Sequence, residues 1–338
     1  MIDNLVRENI KALQPYSSAR KEFTGSMEVM LDANELPFGN LNRYPDPQQI
    51  QLKQLIGANA GVALGNVFLG NGSDEIIDLL IRIFCEPGKD KIAFCSPTYG
   101  MYTVNAAINN VQIIDVPLNQ DFQIDIATLL NKTSNTNCKI LFICSPNNPT
   151  GNSIENIDEI LENFNGIVVV DEAYIDFSNK QSFVRSIKTN ERLLVLQTMS
   201  KSRGLAAARI GIAFAGIPVI EYLNKVKPPY NISLLNQQAA ITAMLDEKGY
   251  EANLKTISQQ KETLMELLKT CKCVEHIYPS DANFYLVRFK NANSTFKTLL
   301  AQGIVVRNRE KEIPGCLRIT VGTEAENTKL INVLQAIQ

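Results

Sequence analysis

The feature that most constrains the fold is a series of short apolar runs, each followed by a segment long enough to form a helix. The runs at residues 140–144 and 167–170 contain no polar side chain other than the thiol of Cys144. A strand that is apolar on both faces is typical of a mainly parallel sheet covered by helices. The intervening segments can hold the crossover helices that parallel neighbours require. We therefore predict an α/β fold with strands at residues 92–95, 112–116, 140–144, 167–170, 193–197 and 210–215.

The pattern changes after about residue 232. Residues 233–269 predict one long amphipathic helix, and strand-like segments follow at residues 273–289, 304–307 and 316–321. This mixture predicts a second, smaller α+β unit. Because two consecutive prolines cannot continue a helix, we expect the junction between the units at Pro228 and Pro229.

Composition excludes several functional classes. The 338 residues are 45% hydrophobic and 20% charged, which suits a soluble globular protein. With 33 basic and 35 acidic residues the formal net charge is −2, so no overall basic field is available to bind nucleic acid. His276 is the single histidine, and a His-dependent catalytic triad or a zinc site would have to use it. We expect no metal site and interpret His276 as a structural residue.

The cysteines and the hydropathy pattern bear on cellular location. The 7 cysteines include no C-x-x-C pair, which is typical of reduced thiols in a cytoplasmic protein. The first residues include Asp3, Arg7 and Glu8 where a signal peptide needs an apolar run. Residues 204–220 are interrupted by Arg209, glycines and a proline, and are unsuited to a membrane span. We expect a soluble cytoplasmic protein without membrane partners.

Lys201 is the first candidate catalytic residue. It follows the apolar run at residues 193–197, and ligands of α/β proteins bind beyond the carboxyl ends of such strands. An amine becomes a nucleophile toward aldehydes when burial or a nearby cation lowers its pKa. Arg209 lies eight residues further on and can supply that cation or bind a phosphate.

Three further motifs lie at the ends of predicted elements. Asp171 directly follows an apolar run, and a buried carboxylate there needs a cationic or hydrogen-bonding partner, such as a protonated pyridine nitrogen. Asn148 lies in the rigid loop S-P-N-N-P-T-G and can donate from its amide to a phenolate-type oxygen. The segment G-N-G-S-D-E, with Ser73 as the expected N-cap, presents free backbone N–H groups that can bind phosphate.

Together these motifs resemble the fold type I pyridoxal-phosphate (PLP) aminotransferases over nearly the whole chain. The resemblance implies a large PLP-binding domain with a mainly parallel seven-stranded sheet, residues 41–232, and a small α+β domain, residues 233–338. It also implies that residues 1–40 pack with the small domain and the active site. The resemblance narrows to the histidinol-phosphate aminotransferase family through P-Y-S-S-A-R at residues 15–20, L-D-A-N-E at 31–35, R-Y-P-D at 43–46, P-T-Y-G-M-Y at 97–102, V-R-N at 306–308 and G-C-L-R-I-T-V-G at 315–322.

The resemblance assigns cofactor roles to a set of residues. Lys201 would bind PLP covalently and then carry protons, and Asp171 would keep the pyridine nitrogen protonated. Tyr174 and Asn148 would donate to the ring oxygen, and Tyr99 would stack on the ring. The phosphate would be held by Gly72, Ser73, Asp74, Thr198, Ser200 and Arg209, together with Tyr44 of the partner subunit in a homodimer.

The resemblance also implies the substrates. Arg318 would clamp the α-carboxylate with help from Asn34. Arg307 and Tyr16 would receive the distal phosphate of histidinol phosphate. The implied reaction is reversible amino transfer between L-histidinol phosphate or imidazole-acetol phosphate and glutamate or 2-oxoglutarate, in histidine biosynthesis.

Three alternatives remain open from the sequence: an aromatic amino acid aminotransferase, a threonine-phosphate decarboxylase of the same fold, and a PLP-fold binding module without turnover. The chain also departs from the family pattern after the lysine, where Arg203 replaces an aromatic residue and Ala207 replaces a glycine. The spacing from Lys201 to Arg209 is kept, so cofactor binding is still expected.

Overall fold

The computed structural model describes residues 2–15 and 29–337, which form two sheets with helices packed around them. Tyr16 lies outside the described residues. Across the two described ranges, no helix is both long enough and apolar enough to cross a membrane. The strands are β1 Val67–Asn71, β2 Lys91–Phe94, β3 Gln112–Asp115, β4 Cys138–Cys144, β5 Ile167–Asp171, β6 Leu193–Thr198, β7 Ile210–Ala215, β8 Val274–Ile277, β9 Phe284–Phe289, β10 Arg307–Asn308 and β11 Cys316–Thr320. The α-helices are α1 Glu8–Ala12, α2 Ile50–Ala60, α3 Ser73–Phe84, α4 Met101–Ile108, α5 Ile126–Thr133, α6 Ile157–Asn163, α7 Ile217–Val226, α8 Leu234–Leu245, α9 Glu247–Lys269, α10 Ala292–Ala301 and α11 Glu324–Gln335.

The large sheet has seven strands in the order β1-β7-β6-β5-β4-β2-β3. All neighbours are parallel except β7, which is antiparallel to both β1 and β6. This arrangement confirms the predicted α/β class with a mainly parallel sheet. Strand β1 was not among the predicted runs, because its sequence V-F-L-G-N is short and ends in the residue types of a turn.

Both faces of the large sheet are buried, which explains the apolar runs. In β5, Val169 packs into one core with α3, α4 and α7, whereas Val168 and Val170 pack into a second core on the opposite face. The second core is covered by α2, α5, α6 and α8. Ala240 of α8 belongs to this core, so α8 packs on the large sheet, although we expected residues 233–269 in the small domain.

The small sheet is antiparallel, in the order β10-β11-β9-β8, and one of its faces packs against α9, α10 and α11. The single helix expected over residues 233–269 is two helices, α8 and α9. They are separated at Asp246, whose carboxylate accepts from the N–H of Gly249 at 3.0 Å and caps the second helix. The strand expected at residues 273–289 is the pair β8 and β9, and that expected at 304–307 is the short β10.

The start of the chain packs on the large sheet rather than on the small one. Ile2 and Val6 are buried in the first core, beside α3 and α7. The Arg7 guanidinium pairs with Glu86 at 3.0 Å and donates to the carbonyl of Arg82 at 2.9 Å. The expectation that residues 1–40 pack with the small domain is therefore wrong for residues 2–12.

The hairpin of β6 and β7 positions the candidate lysine. Thr198 at the end of β6 pairs with Gly211 near the start of β7, so the intervening loop, which contains Lys201, lies at the carboxyl edge of the sheet. A Cβ at Gly211 would lie 2.4 Å from the backbone N of Ser73. The turn that begins α3 therefore packs directly on the backbone of β7, and only glycine leaves room for it.

Gly211→Ala should lower the free energy of unfolding by about 1–3 kcal/mol, because the added methyl forces two backbones apart. The measurement is urea denaturation of both proteins. Gly65→Ala is the matched control, since its Cβ would meet nothing closer than 3.7 Å, at Ile217. An equal effect of the two substitutions would show that the contact with Ser73 is not responsible.

Candidate active site

The carboxyl ends of β4, β5 and β6 bring the predicted motifs together at one edge of the large sheet. The three strands run parallel, so the residues that follow them meet at the same edge. A cavity of about 80 Å³ opens there. Its walls include the predicted cofactor residues Ser73, Asp74, Tyr99, Asn148, Asp171, Tyr174, Thr198, Ser200, Lys201 and Arg209.

Lys201 lines this cavity with an amine whose pKa is lowered. Burial is the main cause and the positive charge of Arg318 adds to it, whereas Asp171 acts in the opposite direction. The Nζ atom lies 5.5 Å from the centre of the Tyr174 ring. A lowered pKa increases the fraction of neutral amine, which is the form that attacks an aldehyde.

Asp171 ends β5 as a buried carboxylate with a 3% exposed side chain. Its Oδ2 accepts from the hydroxyl of Tyr102 at 2.7 Å, and its Oδ1 accepts from the N–H of Ala173 at 3.2 Å. Burial raises the pKa of Asp171 to about 6, and the Tyr102 hydrogen bond limits that rise. A carboxylate with this environment is suited to pair with a cation inside the cavity.

The start of α3 forms one end of the cavity. Gly72 is the N-cap, with φ of 80°, and no side chain caps the helix, so the prediction of Ser73 as N-cap is wrong by one residue. The N–H groups of the first turn are therefore free to bind an anion. A Cβ at Gly72 would lie 2.4 Å from Nη2 of Arg209, so the glycine leaves space for that guanidinium.

Arg209 lies at the same end of the cavity as the start of α3. Its Nη2 pairs with Asp74 at 3.3 Å, and the hydroxyl of Tyr99 donates to the same carboxylate at 2.9 Å. The backbone of Arg209 is left-handed, with φ of 52°, an uncommon conformation for a residue with a side chain. Its carbonyl accepts from the N–H of Gly72 at 2.7 Å, and this contact ties the strained residue to the helix start.

Arg318 reaches the cavity region from the small sheet. Its guanidinium donates to Oδ1 of Asn148, and it lies 5.1 Å from the centre of the Phe284 ring. The Nδ2 of Asn148 lies 3.4 Å from the hydroxyl of Tyr174. The Nε of Arg318 is buried and has no hydrogen-bond partner among the described residues. A buried guanidinium with an unused N–H is suited to bind a carboxylate.

Gly72 and Arg318 adjoin this cavity without lining it, and other predicted residues lie further away. Asn34 and Tyr44 line a separate groove of about 470 Å³, where Tyr44 stacks on Tyr230 with ring centres 4.3 Å apart. Arg307 is exposed in β10 and lies directly opposite Arg318, so the two side chains share one face of the small sheet. Tyr16 is not among the described residues, and its role stays a prediction.

The sequence analysis gave no site role to several residues in or beside the cavity, among them Cys144 and Tyr102. Cys144 lines the cavity, and Tyr102 is fully buried against Asp171. Tyr102 lies in the first turn of α4, three positions after Tyr99, and the rings of the two tyrosines meet edge to face. The motif P-T-Y-G-M-Y therefore contained the signal, but only one of its tyrosines was given a role.

The structure explains one of the two departures from the family pattern. The Arg203 guanidinium stacks 3.4 Å from the centre of the Tyr250 ring and donates to the carbonyl of Ala243 at 3.2 Å. An arginine at this position thus packs on an aromatic ring and caps the end of α8. Ala207 is exposed, and nothing in the structure explains that replacement.

The chain belongs to the aminotransferase class I and II family, whose model matches residues 16–334. It is 48% identical to a histidinol-phosphate aminotransferase of Cytophaga hutchinsonii, over 99% of this chain and 98% of that protein. Its fold resembles the crystal structure of the histidinol-phosphate aminotransferase from Clostridium acetobutylicum, with a TM-score of 0.80, 26% identity, and coverage of 88% and 91% of the two chains. It also resembles the enzyme of that name from Sinorhizobium meliloti in complex with pyridoxal 5′-phosphate, with a TM-score of 0.78, 22% identity, and coverage of 90% and 89%.

The cavity fits the cofactor of this family, PLP. Asp171 offers a buried carboxylate for a pyridinium nitrogen, and Lys201 offers an amine with a lowered pKa. The uncapped start of α3 and Arg209 offer an anion site for the phosphate. The chain is therefore a PLP-dependent aminotransferase.

Lys201→Ala should abolish covalent attachment of PLP, because no other amine lines the described cavity. We expect borohydride treatment followed by denaturation to leave cofactor on the wild-type chain and none on the variant. Lys89→Ala, which removes an exposed lysine, is the control and should be labelled like the wild type. Cofactor trapped on the Lys201→Ala protein would move the nucleophile to another residue.

Proposed function

We propose that this chain catalyses reversible amino transfer between L-histidinol phosphate and 2-oxoglutarate, giving imidazole-acetol phosphate and glutamate, in histidine biosynthesis. The observation that carries the proposal is the 48% identity, over 99% of the chain, to a protein named for that activity. The 7 cysteines are free thiols, and this supports a reducing, cytoplasmic location as part of the proposal.

The arginines of the small sheet support the choice of substrate. Histidinol phosphate carries a phosphate, whereas glutamate carries two carboxylates, so the site must accept anions of different shape. Arg318 is held beside the cavity by Asn148, and Arg307 lies opposite it on the neighbouring strand. In the proposal Arg318 binds the α-carboxylate of glutamate, with Asn34 assisting, and Arg307 and Tyr16 bind the distal phosphate.

In this proposal the residues that bind the cofactor and move the proton lie at the edge of the large sheet. PLP, when bound, supplies an electron sink that stabilises negative charge on the α-carbon of the substrate. Asp171 pairs with the pyridine nitrogen and keeps it protonated. Tyr174 and Asn148 orient the ring oxygen, and Tyr99 packs on the ring. Lys201 binds the cofactor and moves the proton, because its lowered pKa leaves more of the amine in the neutral form that can accept a proton.

We also propose a division of the chain that follows its cores. Residues 41–245 form the PLP-binding unit, because α8 packs with the large sheet, and the small unit begins at the break at Asp246. This moves the expected boundary at residue 233 by one helix. The small unit then supplies the two substrate arginines.

We also propose that two copies of the chain form a homodimer. Val29, Leu31 and Phe38 are 77%, 87% and 76% exposed, a concentration of large apolar side chains that is typical of an interface. They belong to the same segment as Asn34 and Tyr44, which line the separate groove. In the dimer, Tyr44 of the partner subunit would reach the cofactor phosphate. A chain that sediments as a monomer at micromolar concentration would contradict this part.

The half-reaction with single substrates tests the function. We expect L-histidinol phosphate to convert the visible absorption of the PLP-loaded protein to that of pyridoxamine phosphate at least about tenfold faster than L-phenylalanine, because only the former offers an anion to Arg307. Faster conversion by phenylalanine would identify an aromatic aminotransferase, and carbon dioxide release from threonine phosphate would identify a decarboxylase. No conversion by any substrate would favour a binding module.

Arg307→Ala should slow the half-reaction of histidinol phosphate by about 10- to 100-fold, since a charge-assisted contact contributes ~1.5–3 kcal/mol. The half-reaction of glutamate should change far less. The control is Arg288→Ala, which removes an exposed arginine from strand β9 of the same sheet, on the other side of β11 from Arg307. An equal loss for both substrates in the Arg307→Ala protein would remove this residue from phosphate binding.

A further inference from the structure

We propose that Tyr102 is a positioning residue for the cofactor: its hydroxyl holds the Asp171 carboxylate ionised and aimed into the cavity. This inference rests on the proposed pairing of Asp171 with the pyridine nitrogen, and it is independent of the identity of the substrate. Tyr102 does not line the cavity, so it acts through Asp171 and not by contact with the cofactor.

Burial, one hydrogen bond and aromatic contacts fix the position of the Tyr102 side chain. Its side chain is fully buried, and its hydroxyl lies 2.7 Å from Oδ2 of Asp171. Its ring stacks on Phe142 of β4, with centres 4.7 Å apart and planes 15° apart. Its edge meets Tyr99 at 5.6 Å and 86°. These ring contacts place the hydroxyl beside Asp171, with the Cys144 thiol also in reach, and the same ring contacts the residue proposed to stack on the cofactor.

The surroundings of Asp171 leave Tyr102 as its main side-chain donor. The N–H of Ala173 donates to the other oxygen, at 3.2 Å. Of the charged groups, Asp74 disfavours the carboxylate and Lys201 favours it. The remaining titratable groups that face Asp171 are neutral at pH 7, since burial raises the pKa of each above its usual range; they are Tyr99, Tyr174 and Cys144.

The consequence is a shift in pH dependence. Burial raises the pKa of Asp171 to about 6 even with the Tyr102 hydrogen bond in place, so loss of this bond raises the pKa further. A neutral carboxyl group cannot stabilise a pyridinium. A chain without the hydroxyl should therefore bind the cofactor more weakly near pH 6.5, and the deficit should shrink as higher pH ionises Asp171 again.

The test is Tyr102→Phe, which keeps the ring contacts with Phe142 and Tyr99 and removes only the hydroxyl. The probe is pyridoxamine 5′-phosphate, which has no aldehyde to react with Lys201, and its binding to the full chain is measured by calorimetry from pH 6 to pH 8.5. We expect about three- to tenfold weaker binding at pH 6.5 and near wild-type binding at pH 8.5. Tyr285→Phe is the matched control, because Tyr285 is also buried and donates its hydroxyl, at 3.2 Å, to the carbonyl of Lys261 in the small unit.

A double-mutant cycle with Asp171→Asn separates positioning from packing. If Tyr102 acts through the carboxylate, Tyr102→Phe should have no further effect on affinity in the Asp171→Asn protein. Equal effects in both backgrounds, or a deficit that does not vary with pH, would overturn the proposal. Tyr102→Leu, which also removes the ring, should show the same pH dependence with a lower melting temperature. If Asp171→Asn alone leaves binding unchanged, the pairing of Asp171 with the cofactor fails, and the role of Tyr102 fails with it.

Discussion

The site depends on the burial of one charged group, the Asp171 carboxylate, away from water. Asp171 lies at the end of a central strand, where desolvation opposes its charge, and its hydrogen-bond donors offset part of that cost. A hydroxyl from α4 and a backbone N–H hold its two oxygens. The negative charge of the Asp171 carboxylate can still attract a cation in the cavity. Because β5 lies between β4 and β6, the same strand end also meets the Asn148 loop and the Lys201 loop.

The local parts of this arrangement could be predicted from the sequence. Apolar runs such as the one before Asp171 report burial on both faces, and polar residues that follow parallel strands must meet at one edge. The direction of β7 could not be predicted, because an apolar run carries no information on whether a strand is parallel. The break at Asp246 was missed because no proline marks it and the two helices are separated by this single residue. The role of Tyr102 depends on a contact across 69 positions of sequence, which no local pattern reveals.

The electrostatics of the Lys201 amine depend on both sheets. Arg318 belongs to the small sheet, yet its charge is the second largest cause of the lowered pKa of Lys201. Asn148 of the large unit holds Arg318 in place, and Phe284 supports it from the small sheet. The protonation of Lys201 therefore responds to how closely the two units pack. An anionic substrate bound to Arg318 would weaken this effect, because it neutralises the cation that disfavours the protonated amine.

The hairpin of β6 and β7 has a mechanical consequence. Lys201 and Arg209 lie on one short loop whose ends are joined by the pairing of Thr198 with Gly211. The same loop is bonded to the start of α3 through Gly72. The amine proposed to bind the aldehyde of the cofactor and the guanidinium proposed to bind its phosphate therefore belong to one loop whose two ends are joined. A displacement of this hairpin would move the two groups together, and the distance between them would change little.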